Sequence, residues 1–289
     1  MNFPTSIRFR LVVVAIIFSG TFSASGSQLE PYTETISGTV VTFGMVPVPG
    51  GSFTVTDPAD LSVKRILKVG DIWIGKTEVT WPEYDVWRLS LDHEPAERRR
   101  VDAVSRPSRP YGAPDSGFGH SGFATLSVTV HAAEEYARWL SKKTGKNYRL
   151  PTTDEWQYAC YLGIGVTKVE GETLMPSFNT EDRDAVAWYV SNADLATHAV
   201  ASKKANALGV YDTLGNAGEW ARNEAGVAAL HGGSYRDEGA NVHCGARLEQ
   251  TRAWNSTDPQ IPKSTWWLSD GPFAGFRVIR DPEGEEGIR

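Results

Sequence analysis

The amino-acid sequence predicts a loop-rich domain of the α+β class. Segments near residues 50 and 75 have strand character, and three segments between residues 80 and 160 have the signals of helices. After Cys160, regular patterns fade, and Gly, Pro, Asn and Trp separate short segments as far as the C-terminus. Strand and helix signals of this kind, with no linker and no internal repeat between them, predict one mixed domain.

Two segments in the first third have strand character. Met45–Phe53 predicts a short strand and a turn, because apolar residues precede Pro49-Gly50-Gly51. Asp71–Val79 alternates between polar and apolar residues, which is typical of a half-buried strand.

Two helices are predicted from capping boxes. Thr80 is followed three residues later by Glu83, and Thr152 is followed three residues later by Glu155. In this motif the hydroxyl and the carboxylate each satisfy a backbone N–H group that the first helical turn leaves unpaired. Helices are therefore expected to begin directly after Thr80 and Thr152.

A third helix is predicted from about Val130 to Lys143. Four apolar residues fall on one face at helical spacing, namely Ala133, Tyr136, Ala137 and Leu140. Gly145 is placed to end this helix, because glycine readily adopts the left-handed conformation of a helix C-terminus. The ten tryptophans of the chain are expected to anchor the loop-rich remainder by burying large rings.

The N-terminus has the layout of a secretory signal peptide. Arg8 and Arg10 precede the apolar run Leu11–Phe18, and small residues follow as far as Gly26. The run is shorter than the roughly 20 residues of a membrane helix, so cleavage after residue 26 is preferred over an uncleaved anchor. The prediction is a secreted or periplasmic protein with no membrane attachment after cleavage.

Charge argues against nucleic acid as a partner. The formal net charge is −6, and removal of residues 1–26 takes away two arginines and no acidic residue, which gives −8. The one basic block is Arg98–Arg100. Phosphate backbones require a basic face, so a nucleic-acid partner is not expected.

The chain has two cysteines, Cys160 and Cys244. In an exported protein, two cysteines suggest a single disulfide, because the compartment is oxidising. Two free buried thiols are the alternative.

Five motifs in the C-terminal two-thirds identify a family resemblance. They are Tyr148-Arg-Leu-Pro-Thr-Thr-Asp-Glu-Trp-Gln-Tyr-Ala-Cys160, Asn206-Ala-Leu-Gly-Val-Tyr-Asp212, Gly215-Asn-Ala-Gly-Glu-Trp220, Gly232-Gly-Ser-Tyr235 and Gly275-Phe-Arg277. Together they resemble the formylglycine-generating enzyme family, also called sulfatase-modifying factors. The resemblance implies a variant of the C-type lectin fold over residues 44–281. Residues 27–43 would form an N-terminal extension, and residues 282–289 a polar tail.

The activity that the resemblance implies is oxidation of a sulfatase cysteine to formylglycine by oxygen and copper(I) held by two cysteines. In such enzymes the pair follows Gly-Gly-Ser-Tyr, and here that stretch is Arg236–His243. Counted from Tyr235, the first cysteine is replaced by Asp237, and counted back from Cys244, the pair is replaced by Gly239 and Ser234. Copper(I) is a soft ion that prefers thiolates, so copper is not expected. The resemblance also places Cys160 and Cys244 where family members form a structural disulfide.

Gly218 is a further departure, because most family members have Trp there, lining the oxygen pocket. A missing indole is expected to leave that pocket open to water.

The six histidines do not have the spacing of the iron-binding members, nor that of catalytic zinc. Ser234 follows two glycines, but no base can be assigned to activate it as a nucleophile. No catalytic residue is therefore assigned.

The resemblance implies a structural calcium. Its ligands would be the carboxylates of Asp212 and Glu219 and the carbonyls of Gly215 and Ala217. Hard oxygen ligands from a tight loop are what calcium prefers. The alternative is a turn capped by the Asp212 side chain, with Glu219 in a salt bridge.

The resemblance also places a binding surface around the positions of the missing cysteines. Its expected residues are Ser234, Arg236, Asp237, His243, Arg252, Trp254 and Asn255. An exposed indole beside polar groups suits a glycan or an extended peptide, whereas a buried Trp254 would belong to the core.

The preferred function is a non-catalytic binding or scaffold protein. The alternative is a family enzyme with altered oxidative chemistry, or a helper of sulfatase maturation.

Overall fold

The computed structural model describes residues 29–57, 60–97, 103–165 and 180–282, and it contains both helices and sheets, as the sequence predicts. The predicted signal peptide, Arg98–Arg100 and residues 283–289 lie outside these ranges. None of the helices in the described ranges combines the length and hydropathy of a membrane span.

The elements follow one another in chain order. The strands are β1 (Tyr32–Thr35), β2 (Thr42–Val48), β3 (Gly51–Asp57), β4 (Asp60–Val69), β5 (Ile72–Gly75), β6 (Tyr148–Arg149), β7 (Gly218–Arg222), β8 (Ala228–His231), β9 (Arg247–Glu249), β10 (Ala274–Gly275) and β11 (Ile279–Arg280). The helices are α1 (Trp81–Arg88), α2 (Val130–Thr144), α3 (Thr153–Gly163) and α4 (Thr180–Val186), and Gly239–Asn241 and Arg252–Asn255 form short 3₁₀ turns.

A five-stranded antiparallel sheet, in the order β1-β2-β5-β11-β6, joins the two ends of the domain. Strand β11 pairs with β5 on one side and β6 on the other, so segments far apart in sequence meet in one sheet. The sheet also revises the predicted boundary at residue 44. Tyr32 pairs with Met45 and Thr35 with Thr42, so residues from Tyr32 onward belong to the domain and not to an extension.

The other two sheets surround the candidate site. One has four strands in the order β10-β7-β8-β9, with β10 parallel to β7 and the other pairs antiparallel. The second is the hairpin of β3 and β4, of which the sequence indicated only the beginning. Strand β4 packs against α3.

The predicted helix boundaries are confirmed to within a residue. Glu83 accepts the backbone N–H of Thr80 at 3.1 Å, and Glu155 accepts that of Thr152 at 2.7 Å, so both capping boxes form. Gly145 ends α2 with a φ of 72°, in the left-handed region that favours glycine.

Large aromatic side chains fill the interior. The fully buried tryptophans are Trp81, Trp87, Trp156 and Trp220. Each such ring removes about 200 Å² from water, which is worth about 5 kcal/mol at roughly 25 cal/mol/Å², as an upper bound. Short strands and long loops can therefore build a stable interior, whose buried apolar side chains form two clusters.

Candidate functional site

A cavity of about 580 Å³ lies between α3, the β3–β4 hairpin and the loop that leads to β9. Gly218 of β7, Leu230 of β8 and Phe273 contribute to its lining, which is partly apolar. Its polar lining residues are Arg65, Thr153, Gln157, Tyr161, Ser234, Asp237, Asn241, His243 and Arg247. Mixed apolar and polar walls around a cavity of this size are typical of a ligand site.

Ser234 and Asp237 form a local hydrogen-bonded turn at the cavity. The Ser234 hydroxyl donates to the Asp237 carboxylate at 2.6 Å, and the Asp237 backbone N–H donates to the Ser234 carbonyl at 3.0 Å. The turn follows Gly232, whose φ is 85° and where a Cβ atom would lie 2.5 Å from the Thr213 carbonyl oxygen. Close backbone approach therefore requires glycine here and holds Ser234 in place.

His243 enters the cavity as a neutral ring. Its Nδ1 accepts the Gly245 backbone N–H at 3.1 Å, which leaves the proton of the neutral ring on Nε2. Burial lowers the pKa of His243, and the positive charge of Arg183 lowers it further. At neutral pH the ring can donate one hydrogen bond from Nε2 and carries no charge.

The predicted disulfide is confirmed. Cys160 of α3 and Cys244 are bonded, their Cα atoms are 5.6 Å apart, and the bridge spans 84 positions. No free cysteine is left among the described residues, and the sequence contains only these two. Neither sulfur is therefore a free thiol in this structure. The bridge also fixes the Gly245–Leu248 side of the cavity to α3.

Gly218 lines the cavity, and its neighbours take up part of the space that a side chain at this position would enter. A Cβ atom at this position would lie 3.3 Å from the side chain of Leu230 and 3.4 Å from the Phe273 carbonyl oxygen. Leu230 therefore packs against the glycine and occupies part of the space next to it, and both residues border the cavity.

The predicted binding surface is divided in the structure. Ser234, Asp237 and His243 line the cavity together, and Arg236 lies beside them. Arg252 is exposed but does not line the cavity, and Asn255 lines a separate cleft of about 220 Å³.

Trp254 is a correction to that surface, because its side chain is only 7% exposed. Its ring packs against Phe273 at 4.9 Å and Trp220 at 5.9 Å between centroids. The indole belongs to the core, which was the alternative considered for it. Hydrophobic burial of the large ring decides this position.

Sequence reasoning missed the α3 wall of the cavity and the hairpin that faces it. Thr153, Gln157 and Tyr161 lie four residues apart along α3, so they share one face of the helix. That spacing was available in the sequence. The position of Arg65 in β4 could not be predicted from the sequence. Its approach to Asp154 and Gln157 depends on packing between the hairpin and α3.

A second polar cluster lies where the resemblance implied calcium. Arg277 is fully buried and binds Glu219, with Nε 2.5 Å from Oε2 and Nη2 2.5 Å from Oε1. The Trp156 indole also donates to Glu219 Oε2, at 2.7 Å. The salt bridge considered as the alternative for Glu219 is thus present in the structure.

Two carboxylate oxygens of this cluster have no hydrogen-bond partner in the structure. Asp212 accepts the Ala201 N–H through Oδ2 at 2.7 Å, but its Oδ1 is buried and unpaired. Glu78 accepts from Asn216 Nδ2 through Oε1 at 2.9 Å, but its Oε2 is likewise unpaired. Burial raises the pKa of Asp212 to about 6 and raises that of Glu78 well above its usual range.

This arrangement fits a cation in charge but is not a finished ligand shell. The carboxylates of Glu78, Asp212 and Glu219 all interact with the buried guanidinium of Arg277. A buried oxygen without a partner costs free energy unless a cation or a water molecule satisfies it. Within the described ranges, no three side chains of His, Cys, Asp or Glu form a ready-made metal site. Backbone carbonyls such as those of Gly215 and Ala217 would have to complete it.

Sequence comparison identifies the family to which the chain belongs. Residues 35–282 match the sequence model of the sulfatase-modifying factor enzyme 1-like domain. The chain belongs to this family. The resemblance that the motifs indicated is therefore confirmed, and the match begins within β1, in agreement with the sheet.

Individual relatives in the family differ in what their names describe. The chain is 30% identical over 272 residues to the chaperone protein LppX of Paenibacillus barcinonensis, which covers 82% of this chain and 81% of LppX. It is 31% identical over 118 residues to a formylglycine-generating enzyme of Streptomyces coelicolor, which covers 39% of this chain and 36% of that enzyme. Among solved structures, Treponema denticola variable protein 1 superposes with a TM-score of 0.63 at 20% identity, over 88% of this chain and 100% of that one. The last likeness shows a shared fold.

Proposed function

We propose that this sulfatase-modifying-factor-like protein is an exported, non-catalytic binding protein whose ligand occupies the cavity between α3 and the loop before β9. The observation that carries the proposal is the Cys160–Cys244 disulfide, because it uses both thiols of the chain. At the cavity, Ser234 and Asp237 offer oxygen atoms in place of the thiolates that copper(I) prefers. The family's oxidative chemistry therefore has no copper ligands here.

An extended polypeptide is the ligand that we favour over a glycan. One relative that matches 82% of this chain, LppX, is named a chaperone, and we take a polypeptide as the corresponding ligand class for this chain. The cavity combines the apolar side chains of Leu230, Leu248 and Phe273 with the hydrogen-bonding groups of Asp237 and His243. Such a lining can accept an apolar side chain together with its amide groups.

Export and calcium complete the proposal. A disulfide of this kind persists in oxidising compartments, which supports the predicted signal peptide. The unpaired oxygens of Asp212 and Glu78 support a structural cation, and calcium is the ion that hard oxygen ligands favour. The lectin-like variant of the fold, inferred from the motifs, belongs to the same proposal, since it is a scaffold suited to binding.

The proposal is tested by measuring client protection and oxidation in parallel. The purified protein is expected to slow the aggregation of reduced insulin B chain at near-stoichiometric amounts. It is also expected to leave a Cys-x-Pro-x-Arg peptide unchanged by mass spectrometry, with copper(I) and oxygen supplied. Conversion of that thiol to an aldehyde would overturn the non-catalytic assignment.

A matched pair of variants assigns protection to the cavity. Leu248 lines the cavity and is 41% exposed, whereas Val227 is 42% exposed and does not line it. Leu248→Glu should lose client protection and Val227→Glu should retain it, because both side chains are already half in solvent and neither change should unfold the protein. Equal protection by the two variants would place the binding surface elsewhere.

A further inference from the structure

Arg236 lies beside the cavity, where its guanidinium stacks on an aromatic ring and has no polar partner among the described residues. Its guanidinium carbon lies 3.5 Å from the centroid of the Phe273 ring, while the residue as a whole is exposed. Across the described parts of the chain, no hydrogen bond or ion pair involves its side chain. The ring attracts the cation but satisfies none of its five N–H donors.

The platform under Arg236 is rigid. Phe273 is 1% exposed and meets Trp254 edge-on, with ring centroids 4.9 Å apart. A planar guanidinium that rests on a fixed ring is already oriented, so it loses less conformational freedom on binding than a free arginine would. Its geometry suits a carboxylate, which can accept two parallel N–H bonds from the same fork.

The neighbouring residues determine where an anion can lie. Ser234, Asp237 and Phe273 line the cavity, so Arg236 stands next to the cavity wall. The Asp237 carboxylate is held by the Ser234 hydroxyl and does not pair with Arg236. Inside the cavity, Arg65 and Arg247 already pair with Asp154 and Glu249, and a ligand carboxylate there would also meet Asp237. Beside Arg236 it would meet a cation that no carboxylate of the described residues pairs with.

We infer that the ligand carries a carboxylate, bound by Arg236, next to an apolar side chain that enters the cavity beside Leu230 and Leu248. The inference rests on the proposed function and specifies its ligand as an acidic, partly apolar peptide. The carboxylate can belong to a Glu or Asp side chain or to a peptide C-terminus, because both offer the same two oxygens. The competing explanation is that Arg236 is a solvated surface arginine that shields Phe273.

Three labelled peptides test the inference by fluorescence anisotropy. They are Gly-Leu-Glu-Leu-Gly amide, Gly-Leu-Gln-Leu-Gly amide and Gly-Leu-Gln-Leu-Gly with a free carboxylate. A hydrogen-bonded charge contact is worth about tenfold in affinity, so one of the two anionic peptides should bind about tenfold more tightly than the neutral amide. Which of them does so distinguishes the side-chain carboxylate from the C-terminal one.

Two substitutions assign the preference to Arg236. Arg236→Gln should abolish the difference between anionic and neutral peptides, measured as the ratio of their affinities for the same variant. Arg252→Gln removes an exposed arginine that does not line the cavity and should retain the full difference. Because Arg236 is exposed, its variant should fold, which a circular dichroism melt would verify.

The outcomes separate this inference from the proposed function. If wild-type protein binds all three peptides equally, or if Arg236→Gln keeps the preference, the carboxylate assignment is overturned and peptide binding stands. If no peptide binds, the peptide-binding function itself fails, and this inference fails with it.

Discussion

Cys160 in α3 and Cys244 in the loop before β9 are joined by a disulfide, and both are buried. This bond connects the two walls of the cavity, and in this structure neither sulfur is a free thiol. One covalent contact thus bears both on stability and on the shape of the site.

The first prediction concerns that bond. Protein that is denatured without reductant should show no reactive thiol, and Cys160→Ala should lower the free energy of unfolding by roughly 2–5 kcal/mol, because the unfolded chain regains the freedom of a long loop. Denaturant titration with a thiol reagent measures both. Two reactive thiols in the wild-type protein would contradict the bridge.

The second prediction concerns the buried pair of Glu219 and Arg277. Arg277→Met should destabilise the protein by roughly 3–5 kcal/mol, because it leaves a buried carboxylate without its cation. Arg138→Met is the control, since Arg138 is exposed in its pair with Glu135 and surface pairs contribute about 0–1 kcal/mol. Similar losses in the two variants, measured by urea unfolding, would show that burial does not set the strength of the internal pair.

The third prediction concerns calcium. A chelator should lower the melting temperature, and calcium should restore it, because an ion bound only to the folded state adds about 2.7 kcal/mol at a hundredfold excess over Kd. Asp212→Asn should abolish this response, since it removes the carboxylate with the unpaired oxygen.

A surface control accompanies the calcium measurement. Glu224→Gln removes one acidic charge from an exposed position and should leave the calcium response intact. Identical melting curves of the wild-type protein in chelator and in millimolar calcium would mean that the acidic cluster is satisfied without the ion.

The fourth prediction uses the capping carboxylate of α1. Burial raises the pKa of Glu83 from 4.5 to about 7, even though hydrogen bonds with Thr80 act in the opposite direction. Between these values the folded state keeps a proton that the unfolded state releases, so stability falls as pH rises from 4.5 to 7. The full loss is about 3 kcal/mol and is complete above pH 7.

Glu83→Gln tests this pH dependence, because glutamine can keep the capping box without a charge. The variant should approach the wild type in stability near pH 5 and exceed it at pH 8. Urea unfolding across that range gives the difference directly, and other titrating groups cancel between the two proteins. Parallel curves would mean that Glu83 titrates with its ordinary pKa.

Local sequence signals predicted the family and the helices α1, α2 and α3, but not α4. The capping boxes at Thr80 and Thr152 and the glycine at position 145 act through neighbouring backbone groups, so their effect can be predicted without knowing the rest of the fold. The family motifs were likewise sufficient to locate the Cys160–Cys244 bridge and the Ser234–His243 side of the cavity.

Tertiary packing decided what depends on distant contacts. Trp254 is buried because Trp220 and Phe273 meet it from far along the chain, and no local pattern distinguishes that ring from an exposed one. The same holds for Arg65, which reaches α3 only through the hairpin, and for Arg236, whose place on Phe273 joins residues 37 positions apart. Periodicity and capping act over one or two helical turns. Burial and ring stacking depend instead on which segments the fold brings together, and it is these long-range contacts that determine which residues line this cavity.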